Sequence, residues 1–147
     1  KIVERRQEKP FTRTFELADV VRACVPKSKA HPIDPATRTF QALRIAVNDE
    51  LGELECALEA SEDILKDQGR LIIVSFHSLE DGTVKHFMRK KAGLSETVHR
   101  HLPEKEAVVA AFVLPFKKAL KPSSEEIADN VRSRSARLRV AIKRGAA

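Results

Sequence analysis

Arg70-Leu71-Ile72-Ile73-Val74-Ser75-Phe76 is the stretch that decides how this chain is read. Its apolar, mostly β-branched centre follows Gly69 and runs into the polar residues His77 and Ser78. An apolar run without alternation predicts a strand covered on both faces. Upstream, from Pro35, the residues Phe40, Leu43, Val47, Leu51, Leu54 and Leu58 recur at spacings of three and four, one stripe of a helix whose other side carries Glu53, Glu55, Glu59 and Glu62. Gly52 weakens the middle of that stripe, so a bend or two abutting helices are expected there. Downstream, Ser78 to about Lys91 reads as another helix. Helix, glycine turn, covered strand and helix form the rhythm of a doubly wound α/β sheet.

The rest of the chain fits around that core. Residues 2–8 read as the tail of a helix ended by Pro10, and Thr14 is placed to cap a second helix that Pro26 stops. Residues 26–35 read as a loop. Val108 to Leu114 is a second run of the covered-strand type. In residues 136–143 apolar residues fall on even positions and mostly basic ones on odd, which predicts a strand whose basic face is wet. Between these strands, Pro122-Ser123-Ser124-Glu125-Glu126-Ile127 has the form of a capped short helix. Lys1-Ile2-Val3-Glu4-Arg5-Arg6 reads as helix interior without initiator Met or cap, so the chain is expected to start inside an element of a longer protein.

Composition narrows the function classes. With 42% hydrophobic and 33% charged residues, the 147-residue chain has the makings of one ordinary folded core. No apolar run is long enough for a membrane helix, so no membrane partner is expected. Two cysteines, Cys24 and Cys56, form no disulfide framework and fit a reducing cytoplasm. The net charge of +6 is unevenly spread: residues 31–82 hold 4 Lys/Arg against 11 Asp/Glu, whereas residues 83–147 hold 15 against 6. A polyanion facing the second half is the natural reading.

The chemistry-bearing string is Ser75-Phe76-His77-Ser78-Leu79-Glu80-Asp81. It follows the carboxyl end of the covered strand, where open α/β sheets bind their ligands. Helix capping accounts for part of it, since Ser78 with Asp81 three residues later resembles a capping box; His77 is the residue that capping explains least. His86, His99 and His101 lack a Cys partner and metal-ligand spacing, so no metal is expected. A hydrolase built on Ser75, His77 and Asp81 lacks the glycines of a nucleophile elbow. The five glycines are isolated, and there is no phosphate-cradling loop. Two basic clusters remain. Lys85, Arg89, Lys90 and Lys91 recur along one helix, and Arg132, Arg134, Arg137, Arg139, Lys143 and Arg144 form a run without an acidic residue. Some of the second set would serve only to solubilise the last strand.

Three stretches taken together are more specific: Asp34-Pro35-Ala36-Thr37-Arg38-Thr39-Phe40 through Asn48-Asp49-Glu50-Leu51; Ser75 to Asp81 with Val84-Lys85; and Pro122-Ser123 through Asn130 to Arg132-Ser133-Arg134-Ser135-Ala136-Arg137-Leu138-Arg139. In this order they resemble the ribosomal RNA small subunit methyltransferase H family, also called the MraW type. One departure is Val131, where the family usually has Pro.

The resemblance implies an α/β fold: the C-terminal portion of a class I (Rossmann-like), S-adenosylmethionine-dependent methyltransferase sheet, preceded by part of an inserted helical domain. Residues 1–33 would end the inserted domain. Residues 34–147 would form the C-terminal half of the methyltransferase domain, with strands near 70–76, 108–114 and 135–143. It implies methylation of the N4 amine of a cytidine in 16S rRNA by the intact protein. Ser75, His77, Ser78, Glu80 and Asp81 would border the target base, and Thr37, Arg38, Lys85, Arg89, Lys90, Lys91, Arg132, Arg134 and Arg137 would face RNA. The donor-binding loop would lie upstream, so no cofactor-binding residue is assigned and S-adenosylmethionine is not expected to bind this chain tightly. The partner would be small-subunit rRNA. An unpaired strand edge predicts self-association of the piece, and a homodimer of the parent is compatible with it. The alternative is a stand-alone basic RNA-binding or assembly module without catalysis.

Overall fold

The computed structural model describes residues 1–25, 33–94 and 110–145. Contacts divide it into two compact units, Lys1–Glu50 and Leu51–Ala147.

The first unit holds α1 (Ile2–Glu8), α2 (Thr14–Cys24) and α3 (Ala36–Asn48). Its small core joins Ala18 and Val21 of α2 to Ala36 of α3, with Ile2 and Phe40 packed on them. Those contacts draw α3 into the first unit. Thr14 is not the cap of α2. Arg13 occupies that position, and the Glu16 carboxylate turns back to accept the Thr12 and Arg13 N–H groups, which holds its pKa below the ordinary value. Arg22 clasps Asp34 at 2.7 Å and so ties α2 to the residues just before α3.

The expected pair of abutting helices is present, but the joint is not at Gly52. The break lies at Asp49, in the left-handed region at φ 50, ψ 39, and α4 runs from Glu50 to Ile64 with Gly52 inside it. A short polar side chain tolerates that backbone region, so no glycine is needed to mark the turn. Leu43 and Val47 of the helical stripe are exposed, whereas Leu54 and Leu58 pack into the core of the second unit.

That second unit is α/β. Its sheet has the order β1-β3-β2, made of β1 (Arg70–Ser75), β2 (Phe112–Val113) and β3 (Arg137–Lys143). β3 runs antiparallel to both neighbours, so β1 and β2 share one direction. Between the strands come α5 (Ser78–Lys91), α6 (Ser124–Asp129) and a 3-10 turn at Val131–Ser135. Of the run Val108–Leu114, only Phe112–Val113 forms strand, and residues 108–109 lie outside the described residues.

Register decides which side is covered. Ile73 pairs with Arg139 and Leu71 with Ala141, while Phe112 pairs with Lys143; this face meets α4 and α5. Phe112 and Ala141 are fully buried there, together with Leu58, Val84, Phe87 and Met88. Phe112 and Phe87 rings tilt against each other with centroids 6.1 Å apart. The pleat sends Ile72, Val74 and Val113 to the opposite face, and among the described residues nothing covers Ile72 (54% exposed) or Val74 (48%). Among the described residues β1 is therefore covered on one face, not two.

The same register inverts the expectation for the last strand. Arg139 and Lys143, on the side expected to be wet, point into the helix layer. Leu138, Val140 and Ile142 share the open face with Val74, Ile72 and Arg70. Alternation reveals which residues share a face but not which face is covered.

Candidate functional site

β1 ends at Ser75, and the chain turns directly into α5. Ser75 is buried, and its hydroxyl donates to the Arg137 carbonyl across the sheet at 3.4 Å. The residue capping α5 is His77, not Ser78: its Nδ1 accepts the Glu80 N–H at 3.4 Å. Glu80 completes the box, its Oε2 accepting from the N–H groups of Phe76 (3.0 Å) and His77 (3.3 Å). Because Nδ1 is an acceptor here, the neutral imidazole carries its proton on Nε2. That nitrogen is shut off from solvent, has no hydrogen-bond partner among the described residues, and lies 3.2 Å from Glu80 Oε1, out of line for a hydrogen bond.

Asp81 is held one residue further on. It receives two hydrogen bonds from Arg139, Nε to Oδ1 at 2.7 Å and a terminal guanidinium nitrogen to Oδ2 at 3.0 Å. That hydrogen bonding is the main reason its pKa falls below the ordinary 3.8, with Arg139, Arg137 and Lys85 adding positive field against the cost of burial. Ser75, His77, Glu80, Asp81 and Arg137 are thus brought together and locked. Ser78 and Phe76, by contrast, face outward, Phe76 being 57% exposed. The strand end is a rigid rim of polar groups with one hydroxyl and one aromatic ring presented beyond it. Phe76 carried no signal in the sequence, since a single apolar residue closing a strand reads as core.

The basic residues sort differently. Lys85 and Arg89 lie one turn apart on α5 and line a crevice with Lys117 and Lys118, which sequence distance had kept out of the cluster. Lys90 lines the other side of α5, in a cleft of about 560 Å³ between α4 and α5 that also includes Glu55 and Glu59. Lys91 is bound to Glu59 and Glu62, which raises its pKa, the Glu59 hydrogen bond contributing most. Arg132 and Arg134 are exposed on the 3-10 turn, and Arg137 is half-buried beside Ser75. Thr37 and Arg38 are exposed on α3, in the first unit. His99 and His101 lie outside the described residues.

The model of the MraW methylase family matches residues 1–144. The chain belongs to that family. A relative from Rhodospirillum rubrum, named ribosomal RNA small subunit methyltransferase H, is 57% identical over 143 residues, 94% of this chain and 44% of its own length. Relatives of the same name from Paramagnetospirillum magneticum (52%, covering 99% of this chain and 46% of the relative) and Caulobacter vibrioides (50%, 97% and 46%) agree. The chain spans less than half the length of these MraW-family relatives. No helix among the described residues is long and apolar enough to cross a membrane.

Proposed function

We propose that this chain is the substrate-side half of an enzyme that methylates the N4 amine of a cytidine in small-subunit rRNA. The reading rests on the family match over residues 1–144. The fold is compatible with it: two strands of one direction with an antiparallel strand between them, and a polar strand end leading into a helix, suit the closing portion of a class I methyltransferase sheet. On this reading residues 1–33 end an inserted helical domain and residues 34–147 complete the methyltransferase domain.

S-adenosylmethionine would supply an electrophilic methyl on sulfur. The glycines of this chain are isolated and offer no cradle for that donor, so its pocket is assigned to the portion of the protein that the relatives carry beyond this match. What this chain contributes is position. A cytosine amine is a weak nucleophile, because its lone pair is delocalised into the ring. The base must be taken out of its stack and held with the amine aligned on the methyl. His77, Glu80, Asp81 and Ser75 keep the strand end rigid. Ser78 presents a hydroxyl to the base, and Phe76 a ring face. Thr37, Arg38, Arg132, Arg134 and Arg137 contact the RNA.

The test is a chimera in which this chain replaces the matching 143 residues of the Rhodospirillum rubrum relative. Incubated with labelled donor and small subunits lacking the modification, it should place label on cytidine N4, read by nucleoside mass spectrometry. A folded chimera that binds donor and labels no cytidine would overturn the proposal.

A further inference from the structure

Phe112 is pinned against Phe87 of α5, and this contact fixes where the chain emerging from β2 goes. Residues Phe116, Lys117 and Lys118 are delivered alongside Lys85 and Arg89, and together they line a narrow crevice. With Arg139 five cations meet there. The nearby carboxylate, Asp81, is occupied by Arg139. Among the described residues none of Lys85, Lys117 and Lys118 pairs with a carboxylate, and Arg89 reaches only the Leu94 carbonyl, at 3.0 Å. Collecting five cations beside one carboxylate among the described residues is unfavourable in the free protein, and an anionic partner relieves it. Phe116, 48% exposed, lies in the same crevice.

We propose that this crevice is an RNA-docking site. Lys85, Arg89, Lys117 and Lys118 grip successive backbone phosphates, and Phe116 stacks on an unpaired base. Stacking beside a phosphate track is how proteins hold single-stranded RNA. An anionic membrane fits less well. The apolar side of α5, with Val84, Phe87 and Met88, is buried in the core and is not offered to lipid. The inference rests on the reading of the protein as acting on RNA, but its test requires no methyl transfer.

The experiment is fluorescence anisotropy of the 147-residue chain with a labelled unstructured RNA dodecamer, titrated at several salt concentrations. Each phosphate contact contributes about 0.7 to the log–log salt slope for a single strand. Lys117→Ala with Lys118→Ala should therefore lower the slope by about 1.4. Phe116→Ala should weaken the dodecamer about tenfold while hardly changing binding of a blunt duplex. Lys66→Ala, an exposed lysine elsewhere in the unit, should change neither. An unchanged slope in the double variant, no binding of RNA by the chain, or tighter binding to anionic vesicles or to an acidic peptide at equal salt would overturn the proposal. RNA binding with an inactive chimera would instead sink the methyltransferase reading alone.

Discussion

Arg139 of β3 gives its guanidinium to Asp81 of α5, a bidentate clasp whose side chains are only 15% and 21% exposed. It fastens the first turn of the helix bearing the strand-end residues to the middle strand of the sheet. Replacing Asp81 with Asn leaves a half-buried guanidinium without its counter-charge. The expected cost is about 2 kcal/mol, between the values for exposed and buried pairs.

The same pair makes part of the stability pH-dependent, with a definite sign. The folded-state pKa of Asp81 is lowered, so its contribution is complete above the ordinary value of 3.8 and is lost as pH falls through the lower folded value. Melting curves of the wild type and Asp81→Asn should therefore differ by a constant amount between about pH 5 and 7 and converge at more acid pH. A gap that widens on acidification would contradict the assignment.

Lys143 is the second cation that the strand turns inward. Its ammonium donates to the carbonyls of Glu62 and Leu65 at the end of α4, where the helix dipole favours positive charge. Lys143→Met keeps most of the stem and removes the caps. Urea unfolding should show a loss of about 1–2 kcal/mol with an unchanged slope.

These inward cations show what the sequence could and could not tell. The strand at 70–75 and the helix after it were legible, because a β-branched run bounded by glycine and polar residues has few other solutions. The orientation of β3 was not: its alternation is equally good with either face inward, and the basic side is the covered one because Ala141 packs there with Leu71, Ile73 and Phe112 while Asp81 and the end of α4 receive Arg139 and Lys143. Histidine is an uncommon cap and Ser78 beside it a common one, so the sequence points to Ser78; the structure reverses their roles. Lys117 and Lys118 join Lys85 through the packing of Phe112 on Phe87 and the pairing of β2 with β3, contacts between distant segments that no local pattern announces.

The open face of the sheet carries its own expectation. Ile72 and Val74 lie uncovered on β1, which is an edge strand among the described residues. Exposed apolar edges recruit further strands. The chain by itself should self-associate in light scattering, and Ile72→Lys should shift it toward monomer. A monodisperse wild-type monomer would count against this.

The proposed function divides the labour, with the RNA side on this chain and the methyl-donor pocket in the part of the protein beyond it. Calorimetric titration of S-adenosylmethionine into the chain and into the Rhodospirillum rubrum chimera tests it most directly. The chimera should show saturable binding and the chain no saturable heat. Micromolar binding by the chain itself would contradict it.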